Sequence, residues 1–189
     1  MKLYVIRHGE SETNKAHRWT GWLDVSLTEK GKQDALFARS ILENVKFDKI
    51  YTSDLNRAIQ TAEIALPGCG YETTPLIREM NVGNIAGKSS DALTPEMRRR
   101  IPEEGYAHLG GESQEQFGSR IRKFMASLEA LDCENVAVFS HAGCLKRMLS
   151  EVVGTMLPGK NVLCANCTVA IFEYTKGVWR LHSWINPYF

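Results

Sequence analysis

The run Lys2-Leu3-Tyr4-Val5-Ile6-Arg7-His8-Gly9 decides how the rest of the chain is read. Its apolar stretch has the length of a short buried strand rather than a helix. It then stops on an arginine and a histidine, where a strand ordinarily runs into turn residues. Two side chains able to carry positive charge, delivered side by side, mark either a wet strand end or a working site.

Strand and helix alternate outward from that point. Thr28 stands as an N-cap before a helical stretch reaching about Asn44. Phe47–Thr52 reads as a second strand and Leu55–Leu66 as a second helix. A turn at Pro67-Gly68-Cys69-Gly70 then leads to a third strand over Tyr71–Ile77. Gly83–Ser90 reads as loop, and Thr94-Pro95-Glu96 opens a short helix with proline at its first position. Ser113-Gln114-Glu115-Gln116 has the capping-box pattern, with Phe117, Ile121, Phe124, Leu128 and Leu131 following at helical spacing. Asn135–Ser140 is rich in β-formers and Ala142–Val153 is helical. Thr168–Tyr174 and Val178–Ile185 close the chain around a turn at Lys176-Gly177. The pattern predicts a three-layer α/β/α sandwich, its central sheet mostly parallel with an antiparallel strand at the end. Residues 1–189 are expected to form a single domain with a lid-like excursion around 79–112.

Composition excludes several classes of function. The 189 residues are 43% hydrophobic and 24% charged with a formal net charge of +1. That balance argues against a whole-surface nucleic-acid or membrane role. No apolar run approaches the ~18 residues of a membrane span. The strand-like Lys2–Ile6 is not a signal peptide, so a cytoplasmic location is expected. The five cysteines (Cys69, Cys133, Cys144, Cys164 and Cys167) are scattered and read as reduced thiols. Cys164-Ala165-Asn166-Cys167 is half of a zinc site without the other half, so it reads as a strand-edge turn and no metal is expected.

Open α/β sheets bind ligands beyond the carboxyl ends of their strands. On this plan the first strand delivers Arg7 and His8, and the second delivers Thr52-Ser53-Asp54 and then Arg57. The third leads to Arg78 and Glu79, and Asn135–Ser140 leads to His141-Ala142-Gly143. Each alone would pass for a solvated strand end; their convergence on one edge is harder to dismiss. Paired guanidinium groups with helix N-terminal amides suit a tetrahedral anion. A neutral imidazole at the centre can attack phosphorus. A carboxyl group at the rim can protonate the departing alkoxide and then take a proton from water. Gly9 and Gly143 are expected to let the backbone pass close to the ligand, and His8, as a strand-end side chain, to be exposed.

These residues lie within an ordered series of motifs. Arg7-His8-Gly9-Glu10-Ser11 with Asn14 is followed by Thr20-Gly21-Trp22-Leu23-Asp24-Val25-Ser26-Leu27-Thr28 and by Thr52-Ser53-Asp54-Leu55-Asn56-Arg57-Ala58. Glu79 with Gly83 and Gly87, Gly110-Gly111-Glu112-Ser113 and Ser140-His141-Ala142-Gly143 complete the series. Together they resemble the histidine phosphatase superfamily, in its phosphoglycerate mutase-like branch, over almost the whole chain. The resemblance implies that His8 becomes phosphorylated, that Arg7, Arg57 and His141 hold the phosphoryl oxygens, and that Glu79 is the proton donor. It also implies that Asn14 contacts the phosphoryl group and that Thr20, Gly21, Ala142 and Gly143 lie at the substrate, with no cofactor. Ala86 and Asn81-Val82-Gly83 depart from the family pattern and alter the pocket wall.

Only Ile101–Leu109 separates Arg98-Arg99-Arg100 from Gly110, a shorter cover than the glycolytic mutases that this chain resembles carry there. A shorter lid admits water and favours hydrolysis. The expected function is a metal-independent phosphatase for small phosphomonoesters. The alternatives are a cofactor-dependent phosphoglycerate mutase and a non-catalytic phospho-ligand binding module. A binder needs neither a nucleophile nor an acid, so His8 and Glu79 weigh against the module. The expected partner is a small phosphorylated metabolite, with the oligomeric state open. Arg98-Arg99-Arg100 read as a solvated face more than a steering patch. Trp19 and Trp22 read as pocket wall or as packing on the first helix. His17 and His108 are expected to be exposed, His182 to pack in a terminal strand, and Cys144 to belong to the core.

Overall fold

Alternate side chains of β1 (Lys2–Arg7) go to opposite faces of the sheet. Leu3 and Val5 join Ile121, Phe124, Leu145 and Met148 in one core, while Tyr4 and Ile6 join Ala35, Ala38, Leu42 and Ala62 in another. β4 (Asn135–Ser140) divides the same way, Val136 and Val138 to the first core and Ala137 and Phe139 to the second. Two covered faces explain why these strands carry unbroken apolar runs.

The computed structural model describes residues 1–157 and 159–187. With β2 (Lys49–Ser53), β3 (Glu72–Thr74), β5 (Val169–Thr175) and β6 (Val178–Ile185), the two central strands form a six-stranded sheet of order β3-β2-β4-β1-β5-β6. The first four run parallel, β5 is antiparallel to β1, and β6 is antiparallel to β5. After the short α1 (Glu12–Lys15), α2 (Glu29–Leu42) and α3 (Asn56–Ala65) cover one face. Past the outlying α4 (Pro95–Glu104), α5 (Gln114–Glu129) and α6 (Ala142–Val153) cover the other. This is the expected α/β sandwich.

Several local expectations are corrected. The third strand ends at Thr74 because Pro75, which has no N–H to give a ladder, starts a 3-10 turn capped by the Thr74 hydroxyl. The helix α1, closed by a reciprocal Ser11–Asn14 capping box, has no counterpart in the sequence reading. Gly9 does not face a ligand. A Cβ there would lie 2.2 Å from the Gly31 carbonyl oxygen, and one on Gly31 would lie 2.0 Å from that of Glu10. The pair lets the exit of β1 cross the first turn of α2 at backbone contact. All five cysteines are free, and no helix among the described residues is long and apolar enough to cross a membrane.

Candidate active site

Parallel pairing sets Arg7 opposite Ser140, so His8 and His141 leave the sheet together, their rings 5.2 Å apart. His8 is only 4% exposed, against the exposure expected of a strand end. The Cys164–Cys167 turn lies across it, with Asn166 Nδ2 and Cys167 N both donating to the His8 carbonyl. The imidazole Nδ1 is 2.7 Å from the Gly9 carbonyl oxygen. A carbonyl can only accept, so Nδ1 carries the proton and Nε2 keeps its lone pair. Arg57 Nε donates to that Nε2 at 3.2 Å.

Burial first, and then the charges of Arg57 and Arg7, hold the His8 pKa well below its ordinary value. The same forces lower His141. Both rings are therefore neutral near pH 7, and the acid limb of activity is expected to fall well below pH 6.5. The unfolded chain binds these protons more readily than the folded one, so stability is full above about pH 6.5 and is lost as the pH falls below it. Each histidine contributes a slope of up to about 1.4 kcal/mol per pH unit in that window. Denaturant titrations at pH 7.5 and pH 5.5 check this; equal stabilities would show that the rings are protonated in the fold.

Arg57 is fully buried. Its Nη1 and Nη2 donate to the carbonyls of Leu23 and Gly21, each at 2.8 Å, which aims Nε at His8. Burial lowers its pKa to about 10, leaving it charged at neutral pH. Arg7 donates Nη1 to the Cys164 carbonyl, while its Nε is buried without a partner. His141 pairs Nε2 with Ser53 Oγ at 2.9 Å, and its Nδ1 is likewise buried and unpartnered. Buried polar atoms are ordinarily satisfied. Two unsatisfied ones flanking His8 suit the oxygens of an anion.

Glu79 supplies the carboxylate. Its Oε1 accepts from Met80 N at 2.8 Å and its Oε2 from Gly143 N at 3.2 Å, in the first turn of α6. That helix terminus therefore positions the Glu79 side chain. Gly143 also makes room for Glu79: a Cβ there would lie 2.1 Å from Glu79 Oε1. The Glu79 carbonyl accepts from Trp22 Nε1 at 2.7 Å and from Arg120 Nη2 at 2.8 Å. Arg120 also forks onto Glu112 and gives Nη1 to the carbonyls of Leu76 and Arg78. The sequence reading missed this clasp. Its signal was an arginine on the apolar stripe of α5, between Phe117 and Phe124. Arg78 turns away, paired with Asp54 and stacked over Trp22.

A cavity of about 450 Å³ opens above these groups. Arg7, His8, Asn14, Thr20, Gly21, Arg57, Glu79, Ala142 and Gly143 all reach its wall; His141 lies behind it. Asn14 Oδ1 accepts from Ser11 and from Asn166 Nδ2, which leaves its own amide N–H groups as donors. Thr20 Oγ1 meets Thr13 Oγ1 at 2.6 Å. Trp19 is pocket wall, whereas Trp22 stands outside the lining. Arg98, Arg99 and Arg100 do not line the cavity. His108 is not exposed: its side chain retains 7%, with both ring nitrogens buried and without a hydrogen-bond partner, Nδ1 lying 3.9 Å from Glu104 Oε2. His182 is exposed, because β6 is an edge strand. Cys144 is core, its thiol pushed up to about 12 by burial.

A neutral imidazole between two arginines, at the carboxyl edge of a parallel sheet, is the arrangement of an α/β protein that handles phosphoryl groups. The chain belongs to the histidine phosphatase superfamily (branch 1), whose model matches residues 3–187. It is 30% identical over 197 residues to the "Probable phosphoglycerate mutase GpmB" of Salmonella paratyphi A, covering 98% of this chain and 90% of that one. Among solved structures, TTHB049 from Thermus thermophilus shares 28% identity at a TM-score of 0.79, over 98% of this chain and 99% of its own. The alpha-ribazole phosphatase from Shigella flexneri shares the fold, with a TM-score of 0.85 over 97% of this chain and 96% of its own at 23% identity.

Proposed function

We propose that this protein is a cytoplasmic, metal-independent phosphomonoesterase working through a phosphohistidine on His8. The observation that carries the reading is the tautomer: Gly9 holds the Nδ1 proton, so Nε2 presents a lone pair beside Arg57. In the first step Nε2 bonds to phosphorus and the P–O bond to the alcohol breaks, the alkoxide taking a proton from the Glu79 carboxyl group. In the second step water attacks the phosphohistidine, gives its proton back to Glu79, and releases inorganic phosphate and a neutral imidazole. Arg7, Arg57, the Asn14 amide and His141 Nδ1 meet the charge on the phosphoryl oxygens, work that elsewhere falls to a metal ion.

Hydrolysis is favoured over mutase chemistry by the thin cover of the cavity. The helix α4 above it contains no buried residue, and of the stretch before Gly110 only Ile101 and Tyr106 reach the cavity wall. A mutase must keep its phosphohistidine dry while the bound acid turns over. With EDTA present, the purified protein is expected to hydrolyse small phosphomonoesters at an undiminished rate. Primed with 2,3-bisphosphoglycerate, it should interconvert 3- and 2-phosphoglycerate far more slowly than that. The reverse ranking would replace the phosphatase by the mutase, the reading that the GpmB relative's name favours. Loss of turnover on chelation, restored by magnesium or zinc, would overturn the metal-free mechanism.

A further inference from the structure

The cavity is larger than a phosphoryl group and a three-carbon acid require. At about 450 Å³ it falls within the range of pockets that enclose drug-sized ligands. Its chemistry also changes along its length. Charged and polar groups gather around His8, whereas Trp19, Val82, Ile101, Tyr106 and Met156 supply an apolar part of the wall. Trp19 and Tyr106 meet edge to face, with ring centroids 5.8 Å apart, and Tyr106 is held in the core at 8% exposure. These rings form a fixed wall rather than a set of loose side chains.

Polar groups of the outer chamber are largely turned toward the protein. Arg147 is committed to Glu151 and to the Gln114 carbonyl. Gln114 gives its amide to the Ile101 carbonyl, and Arg18 reaches the Gly87 carbonyl. Lys146 is half-buried on the same wall. What remains facing the cavity is mostly carbon.

We infer that the alcohol part of the substrate carries a flat apolar body, an aromatic ring or ring system, that lies against the Trp19–Tyr106 wall while its phosphate sits at His8. This rests on the phosphomonoesterase reading and adds the leaving group to it. Aromatic rings gain from such a wall through buried area and through edge-to-face contact.

The test compares esters of similar leaving-group basicity: ethyl phosphate, 2-phenylethyl phosphate, O-phosphoserine and 3-phosphoglycerate. The expected kcat/KM for 2-phenylethyl phosphate exceeds that for ethyl phosphate by roughly tenfold to a hundredfold, the worth of burying one ring. It also exceeds those of the two carboxylate-bearing esters. In Trp19→Ala the ratio of phenylethyl to ethyl turnover falls toward one. Because it is a ratio within one preparation, a partly unfolded variant does not distort it. Equal rates for the two alkyl esters, with label on His8, would overturn the aromatic leaving group and leave the phosphatase standing. A preference for the carboxylate esters would assign the outer chamber to an acid, and would likewise overturn it. Binding of 3-phenylpropylphosphonate against propylphosphonate, measured by calorimetry, gives the same ratio without any turnover. It therefore tests the inference even if the hydrolase reading fails.

Discussion

His8→Ala is expected to lose ester hydrolysis by on the order of 10⁴-fold or more, as enzymes do when a covalent nucleophile is removed. Alanine at this position leaves Arg57 Nε without its partner and opens a polar hole in a site that is only 4% exposed. The variant should therefore be less stable by about 1–3 kcal/mol, and still folded, since the hole adjoins the cavity and water can enter it. His8→Gln, which offers Arg57 an acceptor again, should be equally inactive and more stable. Rapid mixing of the wild type with ³²P-labelled ester and an alkaline quench should trap acid-labile label on His8. Label on a serine or cysteine, or turnover by His8→Ala above a hundredth of the wild type, would remove His8 from the nucleophile's place.

Gly143→Ala should act on the other half of the chemistry. The new methyl would lie 2.1 Å from Glu79 Oε1, a distance no carbon and oxygen tolerate, so the carboxylate must swing off the α6 terminus. For alkyl phosphates, whose departing oxygen needs a proton, kcat/KM, which reports the first step alone, should fall by roughly 10²- to 10³-fold, the usual worth of general acid catalysis. For p-nitrophenyl phosphate, whose leaving group departs as a stable anion, the loss in the first step should be small. Glu79→Gln should show the same split without touching the backbone. Equal losses for both kinds of ester, in both variants, would mean that Glu79 shapes the pocket and moves no proton in that step.

Much of this architecture is local, and local features are legible in a sequence. The apolar runs of β1 and β4 announce strands covered on both faces, and Thr28 and Ser113 announce helix starts. Arg7, His8, Glu79 and His141 declare themselves because each follows a strand whose direction is known once the sheet is parallel. What escaped depends on segments distant in the chain. His8 is buried because the turn bearing Asn166, far along the chain, folds across it. That Gly143 also makes room for the Glu79 carboxylate is visible only once Glu79 is seen against it. The apolar stripe of α5 makes Arg120 look misplaced, yet it is the clasp on which Glu79 hangs. His108 looks like a loop histidine, yet its side chain keeps little exposure.

The strap that follows Glu79 begins and ends at one seam. Glu112 N donates to the Asn81 carbonyl at 2.9 Å, Glu112 Oε2 accepts from Asn81 N at 2.7 Å, and Arg120 ties Glu112 to α5. Chain between those two residues contributes Val82, Ile101 and Tyr106 to the cavity and none of the groups around His8. Inheritance can thus act on the two ends of the pocket separately. Residues between the two ends of the strap can be rewritten for a new alcohol without removing any group that meets the phosphate.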